Sequence, residues 1–398
     1  MIVLFLIGAA GLAGATVFLA LVLVAVWQFR RAESRSTGPL HSPPTADMVS
    51  PGVSLLKPLH GDEPRLEQNL ESFFQQRYPS YEILFGARHL SDPALAVVER
   101  LRKKYPAVPV RIVLSGEPDH PNAKVCTLVR MVAEAEHDLL IISDSDVHVT
   151  DAYIEQVSYP LRDPAVGAVT CLYRGVPTGA FWSRLEALGM SVEMTSGVLV
   201  ANMLEGMKFA LGPTMATRKD VLAKIGGLEP LADYCSDDYL LGKLSADAGY
   251  KVVLSHYVVD HIVLNRTFSK SMQHQARWMR STRFSREWGH IGTGLTFAVP
   301  FGILGMWAAW NMGWPLLGAG FFAWALLNRM IQSVASGWLV VRDRDSLRFC
   351  WLYPLRDLLG FVLWCWSFLG TTIVWRGERY RLLAEGKMAR CQNPALEK

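Results

Sequence analysis

Three short clusters in this 398-residue chain carry side chains suited to chemistry. The first is Asp144-Ser145-Asp146, directly after the apolar run Leu139–Ser143. Two carboxylates two residues apart on an extended turn can converge on one hard cation, Mg²⁺ or Mn²⁺. Such a cation neutralises a diphosphate and makes it a better leaving group. Acidic pairs also decorate ordinary turns, and it is the position after a buried strand that favours a site here. The second cluster, Asp237-Asp238, lies between Gly226-Gly227 and the helical stretch Tyr239–Ala248. Adjacent acids there either cap the helix or include a base that deprotonates an acceptor hydroxyl. The third is His274-Gln275-Ala276-Arg277-Trp278, in which Arg277, Arg280 and Arg283 recur at i, i+3 spacing. This is either an amphipathic helix against anionic lipid or an Arg for diphosphate charge with a Trp walling an acceptor site; both can hold together.

The elements around these clusters alternate. Val53–Leu59, Tyr81–Ala87, Val110–Leu114 and Leu139–Ser143 read as strands. Pro64–Gln76, with Leu66, Leu70, Phe73 and Phe74 at helical spacing, reads as a helix, as do Pro93–Lys104 and Ala123–Ala135. Repeated βα units predict a doubly wound α/β sheet with ligands at the carboxyl ends of its strands.

Hydrophobic residues make up 51% of the chain and mean hydropathy is +0.18, with the excess at the two ends. Ile2–Trp27 is uncharged and long enough to cross a bilayer at about 1.5 Å per residue. Its length, the absence of a basic n-region, and the arginines just after it favour an uncleaved anchor over a signal peptide. Arg30, Arg31 and Arg35 predict that the domain C-terminal to them is cytoplasmic. Gly292–Trp310, Pro315–Val341 and Leu352–Trp375 are three further apolar blocks edged by Trp, Tyr and Arg. Three full spans would leave the basic segment Arg376–Arg390 opposite the catalytic domain; alternatively Arg356 and Asp357 mark the third block as re-entrant or interfacial. The expected organisation is an anchor at 1–28, a Ser/Thr/Pro-rich linker at 29–51, a cytoplasmic domain at 52–290, membrane segments at 291–375 and a basic tail at 376–398. Net charge of +4 without a Lys/Arg run argues against a nucleic-acid partner. Six cysteines without CxxC spacing read as reduced thiols.

Taken in order, VSLLKPLHGDEPRLEQNLESFFQQRYPSYEILFGARHLSDPA, NAKVCTL, SDSDVHV, TRKDVLAKIGG, SDDYLLGK and HQARW resemble the ceramide glucosyltransferase family, family 21 of the glycosyltransferases. The resemblance covers roughly Val53 to Arg283. KPLHGDEP, VTCLYRG and the His of HQARW are most similar to its bacterial branch linked to hopanoid glycosylation. It implies a nucleotide-diphospho-sugar transferase (GT-A) fold with membrane helices at both ends. It also implies nucleotide-site roles for Asp92 and Asp144, with Asp146 completing a metal-binding DxD. Lys124 would lie beside the donor, and Asp238, immediately before Tyr239, would be the catalytic base, leaving Asp237 as a cap or acceptor-side group. Arg277 and Trp278 match the family's Arg-Trp pair, whereas His274 stands where the family has Gln or Arg, and NAKVCTL lacks the asparagines that usually come after the valine.

The expected function is therefore inverting transfer of glucose, N-acetylglucosamine or a related hexose from a UDP-sugar to a lipid hydroxyl, of ceramide or a hopanoid polyol, at a bacterial inner membrane. A processive polysaccharide synthase shares these motifs but needs more membrane helices to build a polymer channel, and a catalytically dead scaffold would not keep every acid. Neither the sugar, the acceptor lipid nor the oligomeric state is written in these residues.

Overall fold

The computed structural model describes residues 1–36 and 50–391; most of the expected linker lies outside them. The chain divides into two compact units. Among the described residues, one comprises 50–173, 205–264 and 372–391, and the other 1–36, 174–204 and 265–371.

The first unit is built on eight strands: β1 (Val53–Pro58), β2 (Tyr81–Ala87), β3 (Val110–Leu114), β4 (Leu139–Ile142), β5 (Val147–His148), β6 (Val166–Pro177), β7 (Met215–Arg218) and β8 (Lys251–Val263). Their order is β3-β2-β1-β4-β7-β6-β8-β5. β1 pairs in parallel with β2 and β4, and β2 with β3. β1 and β4 are buried along their whole length, as continuous apolar runs in the middle of a parallel sheet should be. The helices expected between them form at Leu66–Phe74, Ala94–Lys104 and Ala123–Glu134. Connections run from β1 outward to β2 and β3, then back past β1 to β4. This reversal opens a crevice at the carboxyl ends of β1 and β4.

Beyond β4 the sheet departs from the doubly wound expectation. β7 joins β4 antiparallel, β6 joins β7 antiparallel, and β5 joins β8 antiparallel. The long strand β8 alternates buried with partly exposed residues over much of its length, as suits an antiparallel strand packed chiefly on one face.

Residues 376–390, expected as a basic tail, are folded. β9 (Thr372–Trp375), β10 (Glu378–Leu382) and β11 (Met388–Arg390) form a separate antiparallel sheet in the order β11-β10-β9. β9 and β10 are joined by Arg376-Gly377 alone, with Trp375 opposite Glu378. Both turn residues have positive φ, 51° and 83°, as in a type I′ hairpin loop. The small sheet docks through Met388 N–H to Asp233 O (2.7 Å), Cys235 N–H to Gly386 O (3.2 Å) and a bridge between Tyr234 and Lys387.

The second unit is helical. Ile2–Ser34 and Phe181–Glu205 are long and apolar enough to cross a membrane, and Glu287–Thr296 with Val299–Asn311, bent by 49°, would make one more. Small residues allow close packing, as between membrane helices. A Cβ on Gly8 would lie 2.6 Å from Gly305 N, and one on Gly302 2.4 Å from the Ala325 methyl. The block at Leu352–Trp375 yields a helix only over Tyr353–Ser367. At about 1.5 Å per residue it falls short of a ~30 Å hydrocarbon core. Its charges are paired inside the protein, Asp357 with Arg329 at 3.1 Å and Arg356 with Glu193 at 2.8 Å. That pairing is how an otherwise apolar helix carries them.

Candidate active site

Lys57, Asp144 and Asp146 meet at the carboxyl ends of β1 and β4. Lys57 belongs to the fully buried β1, and its ammonium donates to Ser143 Oγ (3.2 Å) and to the carbonyl of Asp144, over the face of Phe73 at 3.7 Å. Burial lowers its pKa to about 7, against the opposing pull of Asp144, Asp146 and Glu63. Lys57 thus fixes the backbone from which the DxD projects.

The two acids of the DxD have different neighbours. Asp144 Oδ1 lies 2.8 Å from Lys124 Nζ, whereas Asp146 Oδ2 lies 3.0 Å from His261 Nε2 on β8. Between them Ser145 Oγ donates to Glu63 Oε2 at 2.7 Å, bringing a third carboxylate to the turn. Burial, then the charge of Asp146, raises Glu63 to about 7. Among the described residues no cluster of three or more acid, histidine or cysteine side chains could hold a metal ion unaided. The oxygen donors of Asp144 and Asp146 nonetheless fit Mg²⁺ or Mn²⁺, which keep waters and substrate phosphate oxygens as further ligands.

Lys124 is the hub of the site. It is buried on the Ala123–Glu134 helix, not the surface lysine its motif alone would allow, and it also lies 3.4 Å from Asp237 Oδ2. Burial opposes its charge, but Asp144, Asp237 and then Asp238 outweigh that and hold its pKa above the usual lysine value. The helix start is set by Asn122, whose side chain accepts from Val125 N–H and donates to Tyr234 O at 2.9 Å.

Asp237 and Asp238 open the Asp237–Asp247 helix, where backbone N–H groups favour negative charge. Asp238 Oδ2 accepts from Gly212 N–H at 2.7 Å and Oδ1 from Tyr239 N–H at 2.8 Å. Burial, then the charge of Asp237, raises the Asp238 pKa; Lys124 and the two N–H donors oppose this. Gly212 is where the two acidic clusters meet. A Cβ there would lie 3.2 Å from Asp238 Oδ2 and 3.6 Å from Asp144 Oδ2.

Asp92 accepts from Gly61 N–H with both oxygens, at 3.0 and 3.2 Å, and from Ala94 N–H at 3.0 Å. It ties the loop after β1 to the start of the Ala94–Lys104 helix. Asp92, Lys124, Asp144, Asp146, Asp237 and Asp238 thus all belong to the α/β unit, where Lys124 directly contacts Asp144 and Asp237.

His274, Arg277 and Trp278 belong to the helical unit, on the Phe268–Ser285 helix. The His274 ring lies 4.4 Å from that of Trp278, and its Nδ1 donates to buried Glu186 at 2.7 Å. Glu186 also accepts from Ser271 Oγ (2.6 Å) and Asn265 Nδ2 (3.0 Å). Arg280 and Arg283, read as lipid-facing candidates, donate to the carbonyls of Leu369 and Ser367 at 3.1 and 2.7 Å. They cover the carboxyl end of the Tyr353–Ser367 helix, where cations are favoured.

Lys57, Glu63, His261, Glu186 and Arg376 were not singled out from sequence. Glu186 alone left a local signal, a carboxylate inside an apolar run.

The sequence is similar to ceramide glucosyltransferase 1 of Caenorhabditis elegans, 25% identical over 360 residues that cover 89% of this chain and 76% of that protein. Ceramide glucosyltransferase of Komagataella phaffii is 36% identical over 140 residues, 33% of this chain and 26% of that protein. Among solved structures, mannosyltransferase PcManGT from Pyrobaculum calidifontis in complex with GDP-Man and Mn²⁺ is similar at 17% identity, with a TM-score of 0.48 over 89% of this chain and 99% of that chain. The profile described as Glycosyl transferase family 21 matches residues 11–388. With nearly the whole sequence matched, and with a DxD at the switch point of the expected GT-A sheet, this chain belongs to glycosyl transferase family 21.

Proposed function

We propose that the protein transfers glucose, N-acetylglucosamine or a related hexose from a UDP-sugar to a hydroxyl of a membrane lipid, ceramide or a hopanoid polyol, with inversion. The observation that carries this reading is the pairing of Asp144 and Asp238 around Gly212, with Lys124 bridging Asp144 and Asp237. It sets a leaving-group side and a base side against one small space.

Asp144 and Asp146 would hold a divalent cation, which supplies charge neutralisation at the donor diphosphate. Lys124 orients Asp144 through their ion pair. Asp238 accepts the proton of the lipid hydroxyl as its oxygen bonds to the sugar C1. The bond from C1 to the phosphate oxygen breaks, and UDP departs with that electron pair. Two N–H donors hold the Asp238 carboxylate in place, and its raised pKa makes it a better proton acceptor at neutral pH. No covalent intermediate is required. The family motif assigns Arg277 to diphosphate charge and Trp278 to the acceptor wall, and their role rests on that motif. Arg30 and Arg31 support a catalytic domain on the cytoplasmic side, where nucleotide sugars are made.

Membranes containing the protein, given radiolabelled UDP-glucose or UDP-N-acetylglucosamine, should yield an organic-soluble labelled lipid. A water-soluble polymer would identify a processive synthase instead, and no transfer to any lipid fraction would overturn the reading. Mass spectrometry of lipids from a deletion strain names the acceptor.

A further inference from the structure

The turn between β9 and β10 places an arginine where hairpins ordinarily use Asn, Asp or Gly. Arg376 sits at φ 51°, a region that side chains bearing a Cβ rarely adopt. Unusual backbone of this kind persists where the surrounding structure holds it, often at ligand sites. Here Arg376 lines a cavity of about 60 Å³ together with His60, Arg88, Lys124, Trp375 and Tyr380. At ~15 Å³ for each water position, the cavity holds roughly four waters, the scale of a phosphate group and far below a nucleoside.

The lining is cationic, and Lys124 connects it directly to Asp144. Its acid, Glu378, is engaged by Tyr380 and Arg390. Among the described residues Arg376 forms no salt bridge; the carboxylates that act on it, Glu63, Asp144 and Asp146, belong to the DxD region. The hairpin is anchored to Asp233–Cys235, the segment that leads into Asp237-Asp238 and that also receives the Asn122 side chain.

We infer that Arg376 is a diphosphate-binding residue, delivered to the donor site by the C-terminal hairpin. This rests on the nucleotide-diphosphate donor proposed above. A guanidinium matches the paired oxygens of a phosphate with parallel N–H donors. Together with Arg88 and Lys124 it offers three cations to a ligand bearing several negative charges.

The test uses the full-length protein in nanodiscs with Mn²⁺ and measures UDP and UMP binding by calorimetry, with thermal unfolding alongside. Arg376→Gly removes the cation and suits the turn better than arginine, so folding should be retained. UDP affinity should fall roughly 10- to 100-fold, as expected for loss of a charge-assisted contact. The loss for UMP should be smaller, and Arg376→Lys should recover part of it. Arg379→Ala, an exposed position on the same hairpin, should bind UDP normally. Undiminished UDP binding by Arg376→Gly overturns the inference while leaving the donor reading intact. Equal losses for UDP and UMP, or a lowered unfolding temperature, would also overturn it by showing a merely structural role. If the wild-type protein binds no UDP, the donor reading itself fails and takes this one with it.

Discussion

Lys124 Nζ lies 2.8 Å from Asp144 Oδ1, so the lysine of NAKV and the first acid of the DxD form one ion pair, with Asp237 on its other side. Removing Lys124 leaves two carboxylates facing each other with little solvent. Breaking a buried pair from one side typically costs ~3–5 kcal/mol, and the partial exposure of Asp144 moves the expectation to the low end. Lys124→Met should therefore destabilise the protein by about 3 kcal/mol and weaken donor binding, read by thermal unfolding and UDP titration. An unchanged unfolding temperature would show that the pair contributes nothing net.

Asp238→Asn should lower turnover by ~10²–10⁴-fold at saturating donor, the usual contribution of a positioned base, with UDP affinity retained. Asp237→Asn should cost far less. If Asp237→Asn is inactive and Asp238→Asn nearly normal, the two roles are exchanged.

The pH profile separates those two acids further. Transfer needs ionised Asp238, so turnover should fall as pH drops through its raised pKa. Asp237 is a cause of that rise, and removing its charge makes ionisation of Asp238 easier. The acid limb of the Asp237→Asn profile should accordingly move to lower pH. A limb that stays put, or moves upward, argues against Asp238 as the titrating base.

Asp144→Ala, Asp146→Ala and excess chelator should each abolish transfer while the protein stays folded, with Asp144 the more sensitive position. Mn²⁺ binding followed by electron paramagnetic resonance should weaken in both variants. Full activity in chelator would refute the metal assignment.

Gly212→Ala places a methyl 3.2 Å from Asp238 Oδ2 and 3.6 Å from Asp144 Oδ2. Crowding the space between base and leaving-group side should reduce turnover at least tenfold, with a smaller effect on thermal unfolding. Kinetics at saturating donor decide it.

The parallel half of the sheet was legible because its signals are local. Apolar runs such as Leu139–Ile142, broken by helices of clear periodicity, set strand order and site position together. The antiparallel half was not, since β6 and β8 come after the regular βα alternation has stopped. Side-chain partnerships were the least legible. Glu186 and His274 are 88 residues apart, and nothing local links them. Lys57 was hidden because a lone lysine in an apolar strand looks like an edge residue until β4 closes over it. Arg376 was hidden because basic residues near a terminus read as solvated charge. The motif resemblance chose Asp238 over Asp237, a choice that charge and spacing had left open.

The sheet also imposes a parity on the membrane helices. Strands β6 and β7 pair directly, so the chain leaves that sheet before Phe181 and is back in it after Glu205. One continuous helix lies between, and a single crossing would strand its two ends on opposite faces of a bilayer. With the sheet held on one side of a bilayer, Phe181–Glu205 is therefore expected, for all its length and apolarity, not to cross it. The same count applies to residues 265–371, bounded by β8 on one side and by the docked C-terminal sheet on the other. On the same condition their passes would be even in number, which a third full span would break. Docking β11 against Asp233 thereby ties the expected number of crossings to the side on which the sheet lies.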